Sequence, residues 1–211
     1  MAGKVEKEIK LIAPDAEALR DLGAALKEIC KTVEDQGTVL VRDAYYDTED
    51  WRLYRAGFAC RVRRAGDRTL LCLKALTRQR AGFSARQEIE QRVPAPAPRR
   101  LDRLPAGAAV RKLRQIVEEE PTRLLFRLRN KRRVFVAHSD GAKVQVSGDD
   151  FTVIAAGRRK RMAEVEIELM DGPEQALRGL ARRLKRRMPL RTGTRAKFRE
   201  GLLLSGRQPL T

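Results

Sequence analysis

The feature that most constrains this chain is a charge alternation at a period of two that returns in segment after segment. In Val5-Glu6-Lys7-Glu8-Ile9-Lys10-Leu11, Glu6, Glu8 and Lys10 fall on one side, with Val5, Ile9 and Leu11, interrupted by Lys7, on the other. Successive side chains of a strand point to opposite faces, so this segment is read as a strand with one charged face. Cations repeat the pattern in Cys60-Arg61-Val62-Arg63, at the end of Leu70-Leu71-Cys72-Leu73-Lys74, and in Leu125-Phe126-Arg127-Leu128-Arg129. Carboxylates repeat it in Gln87-Glu88-Ile89-Glu90-Gln91 and in Glu164-Val165-Glu166-Ile167-Glu168-Leu169. Like charges two residues apart on one strand face repel, so such faces are costly unless opposite charge, a metal ion or a polyanion lies across from them. The expected solution is a sheet curled so that its charged faces look at one another.

The remaining segments supply enough strands to close such a sheet. A helix is expected from Pro14-Asp15 to about Lys31, with Ala16, Leu19, Leu22, Ala25, Leu26 and Ile29 at helical spacing. Strands are expected at Thr38 to Tyr46, Phe58 to Arg64, Thr69 to Leu76 and Ser84 to Val93. Asp47-Thr48-Glu49-Asp50 reads as a capping turn, and a basic loop runs from Arg78 to Gly82. Pro94-Ala95-Pro96-Ala97-Pro98 breaks the sheet and leads into small helices between about Ala106 and Glu119. Strands resume at Leu124 to Ala137, Lys143 to Ala155 and Arg161 to Met170, and a helix runs from Glu174 to Arg187 with a basic outer face. The fold class is α+β: about eight antiparallel strands forming a closed or nearly closed barrel with peripheral helices. A barrel of that size holds one small ligand, and a charged interior makes it a ligand tunnel.

At 211 residues and 42% apolar content, one domain over residues 1–204 with a short tail over 205–211 is expected. The 46 Lys and Arg against 28 Asp and Glu leave +18, which calls for an anionic partner. Cys30, Cys60 and Cys72 are odd in number and fit no metal-binding spacing, so buried reduced thiols are expected. No apolar h-region opens the chain and no run approaches a membrane span, so a cytoplasmic protein with no membrane partner is expected.

The paired carboxylates Glu6 and Glu8, Glu88 and Glu90, and Glu164 and Glu166 are hard oxygen donors of the kind that hold Mg²⁺ or Mn²⁺ beside phosphate. Arg61, Arg63, Lys74, Arg132 and Lys197 are the complementary cations: arginine forks grip phosphate oxygens and lysine supplies a point charge. Together they suit a compact polyanion such as a triphosphate, attacked at a terminal phosphorus by a metal-activated water. Walker-type loops, His-Glu-x-x-His and Gly-x-Ser-x-Gly are absent, and His138, the sole histidine, sits beside a turn where a surface role is expected. Tyr45 and Tyr46 lie on opposite faces of their strand, one in the core and the other available to the tunnel.

Glu6-x-Glu8-x-Lys10 resembles the ExExK signature of the CYTH superfamily, the triphosphate tunnel metalloenzymes. The resemblance continues in order through Tyr45-Tyr46-Asp47-Thr48, Arg61-x-Arg63, Leu73-Lys74, Glu88-x-Glu90, Lys131-Arg132-Arg133, Asp149 and Glu164-x-Glu166-x-Glu168. It implies an eight-stranded tunnel that binds triphosphate with Mg²⁺ or Mn²⁺. The implied metal-binding acids are Glu6, Glu8, Asp149, Glu164 and Glu166, with Glu88 and Glu90 at metal sites or positioning water. The implied phosphate clamp is Lys10, Arg61, Arg63, Lys74, Arg132 and Lys197, and Glu6, Glu8, Lys10 and Lys74 are the implied catalytic set. Arg133 is the competing choice to Arg132.

Pro189 to Gly201 resembles the end of bacterial members in which this domain precedes a helical CHAD domain, although Ala196 stands where those carry serine and Glu200 where they carry arginine. That style implies hydrolysis of inorganic tripolyphosphate. Thiamine triphosphatase and class IV adenylate cyclase are the family alternatives, and the 5% aromatic content offers little to stack a ring. A non-catalytic polyphosphate-binding module is the reading from a different class. Acid pairs that repel phosphate and the lack of interleaved aromatics argue against nucleic acid.

Overall fold

A computed structural model describes residues 4–77, 82–96, 100–193 and 196–207. Residues 78–81 of the expected basic loop and residues 97–98 of the proline run lie outside them. Eight antiparallel strands close on themselves: β1 (Lys4–Ala13), β2 (Thr32–Asp47), β3 (Phe58–Ala65), β4 (Arg68–Ala75), β5 (Phe83–Arg92), β6 (Arg123–Ser139), β7 (Ala142–Ala155) and β8 (Arg158–Asp171). Around the barrel the order is β5-β4-β3-β2-β6-β7-β8-β1, and β1 pairs back to β5. A two-residue β9 (Arg191–Thr192) adds to β1 beside Leu11 and Ile12. Closure leaves no free barrel edge, the usual liability of an antiparallel sheet.

Because the interior is charged, the apolar core lies largely outside the wall. Ile9, Leu11, Val144, Val146, Val165 and Ile167 point outward and pack under α1 (Leu22–Ile29) and α4 (Gln175–Arg187), whose Leu26, Leu177, Leu180 and Leu184 are wholly buried. A second layer seats Leu71, Leu73 and Cys60 against Leu53 of α2 (Arg52–Arg55) and Val110 and Leu113 of α3 (Ala108–Val117). Asp47 holds the start of α2 by accepting the backbone N–H groups of Thr48, Leu53 and Tyr54 at 2.8–3.0 Å.

The helix expected from Pro14 to Lys31 is shorter. A 3-10 turn at Glu17–Leu19 precedes α1, and β2 starts at Thr32 rather than Thr38. The polar run Glu34-Asp35-Gln36-Gly37 stays in the strand because Gly37, at φ 80°, absorbs a register shift between Asp35 and Thr38. A second correction concerns β6. Arg127 and Arg129, which the alternation placed with the charged inner faces, point outward and are exposed, while Phe126 and Leu128 point inward. The period of two was right and the face was reversed. Cys60 and Cys72 are buried free thiols and Cys30 is a half-buried one. His138 is exposed and shares a 2.9 Å hydrogen bond with the Thr32 hydroxyl.

One end of the barrel is apolar. Tyr45 stacks on Phe126 with ring centroids 4.5 Å apart, and Phe198 and Leu202 of α5 (Lys197–Ser205) pack onto them. Burying those two side chains contributes about 1.5–3 kcal/mol each. Tyr46, on the outer face, packs toward α3 instead. Helix α5 approaches so closely that a Cβ on Gly201 would lie 2.2 Å from the Phe126 ring. Gly201→Ala gains about 1 kcal/mol of helix propensity, but overpacking costs about 1–3 kcal/mol. A net loss of stability is expected on urea denaturation.

Candidate active site

The charged inner faces meet in two clusters joined along β1. In the first, the Lys74 ammonium is shared by three carboxylates: it is bonded to Glu6 and lies 3.4 Å from Glu88 and 3.8 Å from Glu8. Arg61 donates to Glu88 at 2.9 Å. Glu8 accepts from Arg86 and from the Ser84 hydroxyl at 3.2 Å. In the second cluster, Lys10 lies 3.1 Å from Glu164 and 3.0 Å from Glu166. Lys197, entering from the start of α5, donates to Glu164, to Asp149 at 2.7 Å and to Glu166 at 3.0 Å. Arg132 forks onto Asp149 at 2.7 and 2.5 Å and reaches Glu166 at 2.6 Å.

These contacts follow from register. Lys10 lies beside Glu166, Arg132 beside Asp149, Asp149 beside Glu164 and Lys74 beside Glu88 on neighbouring strands. A cavity of about 40 Å³ between the clusters is lined by Glu6, Glu8, Arg61, Arg63, Lys74, Arg132, Glu166, Glu168 and Lys197, with Gln145 and Ser147. Its volume admits only a few waters, so any larger anion entering it would have to take cations from their carboxylate partners. A second cavity of about 60 Å³ lies under α5, where Tyr45 and Phe198 join Lys10, Arg86 and Lys197.

Burial raises every acid here, and the partners decide which stay ionised. Desolvation outweighs Lys74 at Glu6 and pushes its carboxyl up to about 8. Desolvation likewise holds Glu164 above its ordinary value despite Lys10 and Lys197. At Glu88 the Arg61 and Lys74 charges overcome burial and bring the carboxyl down to about 2. Burial is also overcome at Asp149, by Arg132 and Lys197, and at Glu166, by Lys197, Lys10 and Arg132; both sit below the carboxylate range. The acids therefore divide into members held above and members held below their ordinary values within a few ångströms, a pattern found where carboxylates share a reaction centre.

Of the residues singled out in the sequence, Glu6, Glu8, Lys10, Arg61, Arg63, Lys74, Glu88, Arg132, Asp149, Glu164, Glu166 and Lys197 are brought together in the barrel. Glu90 is not. It is exposed near the rim, where it accepts the Cys72 thiol at 3.0 Å. Burial pushes that thiol up to about 12, so it remains a proton donor. Arg133 points outward to Asp35 and lies over the Phe135 ring. Oxygen atoms of Asp149, Glu164 and Glu166 lie within 4.8 Å of one another. Three hard carboxylates at that spacing fit a divalent cation.

The sequence reading missed Asp43, Arg86, Gln145 and Ser147. Arg86 could have been found two residues before Glu88, on the same face. Asp43, two residues before Tyr45, receives both arms of the Arg63 fork at 2.8 and 2.9 Å. Burial would raise the Asp43 carboxyl, but Arg63, with Arg61 and Arg132 behind it, holds it at about 2 against 3.8 in the unfolded chain. A depressed folded value stabilises the protein above pH ~4, and that contribution, about 2 kcal/mol, is lost as pH falls toward 2. The difference in unfolding free energy between the native protein and Asp43→Asn is expected to shrink by that amount over this window, measured by urea denaturation at each pH.

The CYTH domain family matches residues 4–201, nearly the whole chain and every strand of the barrel. The chain belongs to the CYTH family. Solved structures agree on the CYTH fold. A Hippeastrum protein named as an adenylyl cyclase and described as having a dominant triphosphatase activity superposes with TM-score 0.70 at 23% identity, covering 96% of this chain and 97% of its own. A Bacillus halodurans protein assigned as an adenylate cyclase gives 0.66 at 19%, covering 95% and 98%. The PH1819 protein of Pyrococcus horikoshii gives 0.54 at 16%, covering 95% and 99%. No curated protein matches the chain. Among the described residues of this CYTH chain, no helix is long and apolar enough to cross a membrane.

Proposed function

We propose that this CYTH domain hydrolyses inorganic tripolyphosphate to diphosphate and phosphate, using Mg²⁺ or Mn²⁺. The observation that carries the reading is the closed barrel interior in which Arg61, Arg63, Lys74, Arg132 and Lys197 line one cavity together with Glu6, Glu8, Glu166 and Glu168, with Lys10, Asp43, Glu88, Asp149 and Glu164 paired to them. A polyanion alone would meet repelling acids, and a metal alone would meet repelling cations. A metal with a triphosphate satisfies both sets.

Arg61, Arg63 and Arg132 present planar forks suited to phosphate oxygens, and Lys74 and Lys197 supply point charges between them. As these cations turn to phosphate, Glu6, Glu8, Asp149, Glu164 and Glu166 are freed to hold metal. A bound divalent metal would neutralise phosphate oxygens and lower the pKa of water. Water adds to the terminal phosphorus, the bond to the bridging oxygen breaks, and the electron pair leaves on diphosphate, whose charge the clamp cations stabilise. Asp43 keeps Arg63 aimed across the cavity.

Two further points support tripolyphosphate over an organic triphosphate. The aromatic end is occupied by Tyr45 stacked on Phe126, with the Phe198 ring tilted against both. The stretch from Pro189 to Gly201 resembles CYTH domains that precede CHAD domains. The Hippeastrum neighbour, described as having a dominant triphosphatase activity, supports hydrolysis of a triphosphate without choosing which one. The test is phosphate release from tripolyphosphate, ATP and thiamine triphosphate with Mg²⁺, with Mn²⁺ and with chelator. Metal-dependent release at least about tenfold faster from tripolyphosphate is expected; faster release from ATP or thiamine triphosphate overturns the substrate assignment.

A further inference from the structure

Acids and bases inside the barrel are nearly equal in number, so the net +18 of the chain belongs to its exterior. Part of it is organised. Arg127, Arg129 and Lys131 alternate along the outer face of β6 and are exposed. Register sets Arg129 directly beside Arg42 of β2, and Arg42 directly beside Arg64 of β3. On the other side, Arg127 is followed across Ile154 of β7 by Arg159 of β8. All six side chains are exposed, and none forms an ion pair with a described residue. The neighbouring acid Asp150, beside Lys131 in register, is already gripped by both arms of Arg161.

Cations directly opposite one another, about 5 Å apart across strands and about 6.8 Å apart along them, destabilise a sheet. A polyanion lying on the wall relieves that repulsion. We propose that the outer wall of β3, β2, β6 and β8 is a docking surface for linear inorganic polyphosphate, separate from the tunnel. Charge complementarity selects an anion, and the residues between the cations select which one. Ala44, Leu40, Thr152 and Ile154 face outward with them, and the neighbouring aromatic, Tyr46 beside Arg127, is half-buried against the α3 layer and is not free to stack a base. Leu40 is the single large apolar side chain exposed there among the described residues, too little to anchor in lipid. A phosphate chain without bases or tails needs only the forks and charges present.

The experiment titrates long-chain polyphosphate into the full chain at several salt concentrations, with duplex RNA and phosphatidylserine vesicles at equal phosphate. Arg42→Ser/Arg127→Ser/Arg129→Ser is expected to bind polyphosphate about tenfold more weakly, with a shallower salt dependence. Its melting temperature is expected to match or exceed that of the native protein, since repulsion is removed. Arg111→Ser/Arg182→Ser/Arg186→Ser, which removes the same charge from the exposed faces of α3 and α4, is expected to bind within about twofold of native. Native-like binding by the β-wall triple variant, equal loss in the α3 and α4 variant, or tighter retention of RNA or vesicles than of polyphosphate would overturn the proposal.

Discussion

Phosphate release from tripolyphosphate is expected to fall by at least about a hundredfold in Glu6→Gln and in Glu8→Gln, because each amide removes a hard anionic donor from the metal-facing side of the tunnel. The two variants are expected to differ in stability. Burial pushes the Glu6 carboxyl up to about 8, so near neutral pH it is largely protonated without metal. Glutamine is close to an isostere of that neutral acid, and the melting temperature of Glu6→Gln should match the native value. Glu8 is held below its ordinary value, since Lys74, Lys10 and Arg86 overcome its burial, and Arg86 is itself buried. Removing the Glu8 charge strands that guanidinium, a loss of about 3–5 kcal/mol. Glu6→Gln thus separates chemistry from folding. Turnover retained in this variant, with or without metal, removes Glu6 from the catalytic set.

The second large effect is expected at Lys197→Met. Its ammonium is the shared partner of Asp149, Glu164 and Glu166, and all four groups are nearly or fully buried. Methionine fills a similar volume but leaves three carboxylates with only Lys10 and Arg132. Breaking a buried charge cluster on one side costs about 3–5 kcal/mol, or roughly 10 °C in melting temperature for a domain of this size. If those carboxylates form a divalent site, Mg²⁺ replaces the lost charge and stabilises the variant more than the native protein, by linkage of binding to folding. Thermal melts with and without Mg²⁺ measure this. Equal Mg²⁺ shifts in both proteins contradict the assignment of these acids to metal.

Much of the fold was legible because alternation is a local signal. Glu6, Glu8 and Lys10 share a face by period alone, and so do Glu164 and Glu166. Four things were not local. The pairing of Arg63 with Asp43 and of Arg86 with Glu8 depends on which strands become neighbours, and that is set by closure of the whole barrel. The direction of β6 was ambiguous: Phe126-Arg127-Leu128-Arg129 alternates either way, and only the apolar end formed with Tyr45 and Phe198 turns Phe126 inward. The boundary at Thr32 was hidden because Gly37 carries a bulge where a linker was the simpler reading. The position of Lys197 is a tertiary fact too. A short helix brings it to the cluster from outside the sheet, and the close approach at Gly201 makes that docking tight.

The central claim is that paired carboxylates and cations in one tunnel act together on a triphosphate through a divalent metal. Its most direct test is phosphate release from tripolyphosphate by the native chain, stripped of metal by chelation and then titrated with Mg²⁺ or Mn²⁺. The account predicts no release after stripping and saturable recovery as metal is returned. Release that persists under chelator, or tripolyphosphate held but never cleaved at any metal concentration, would contradict it.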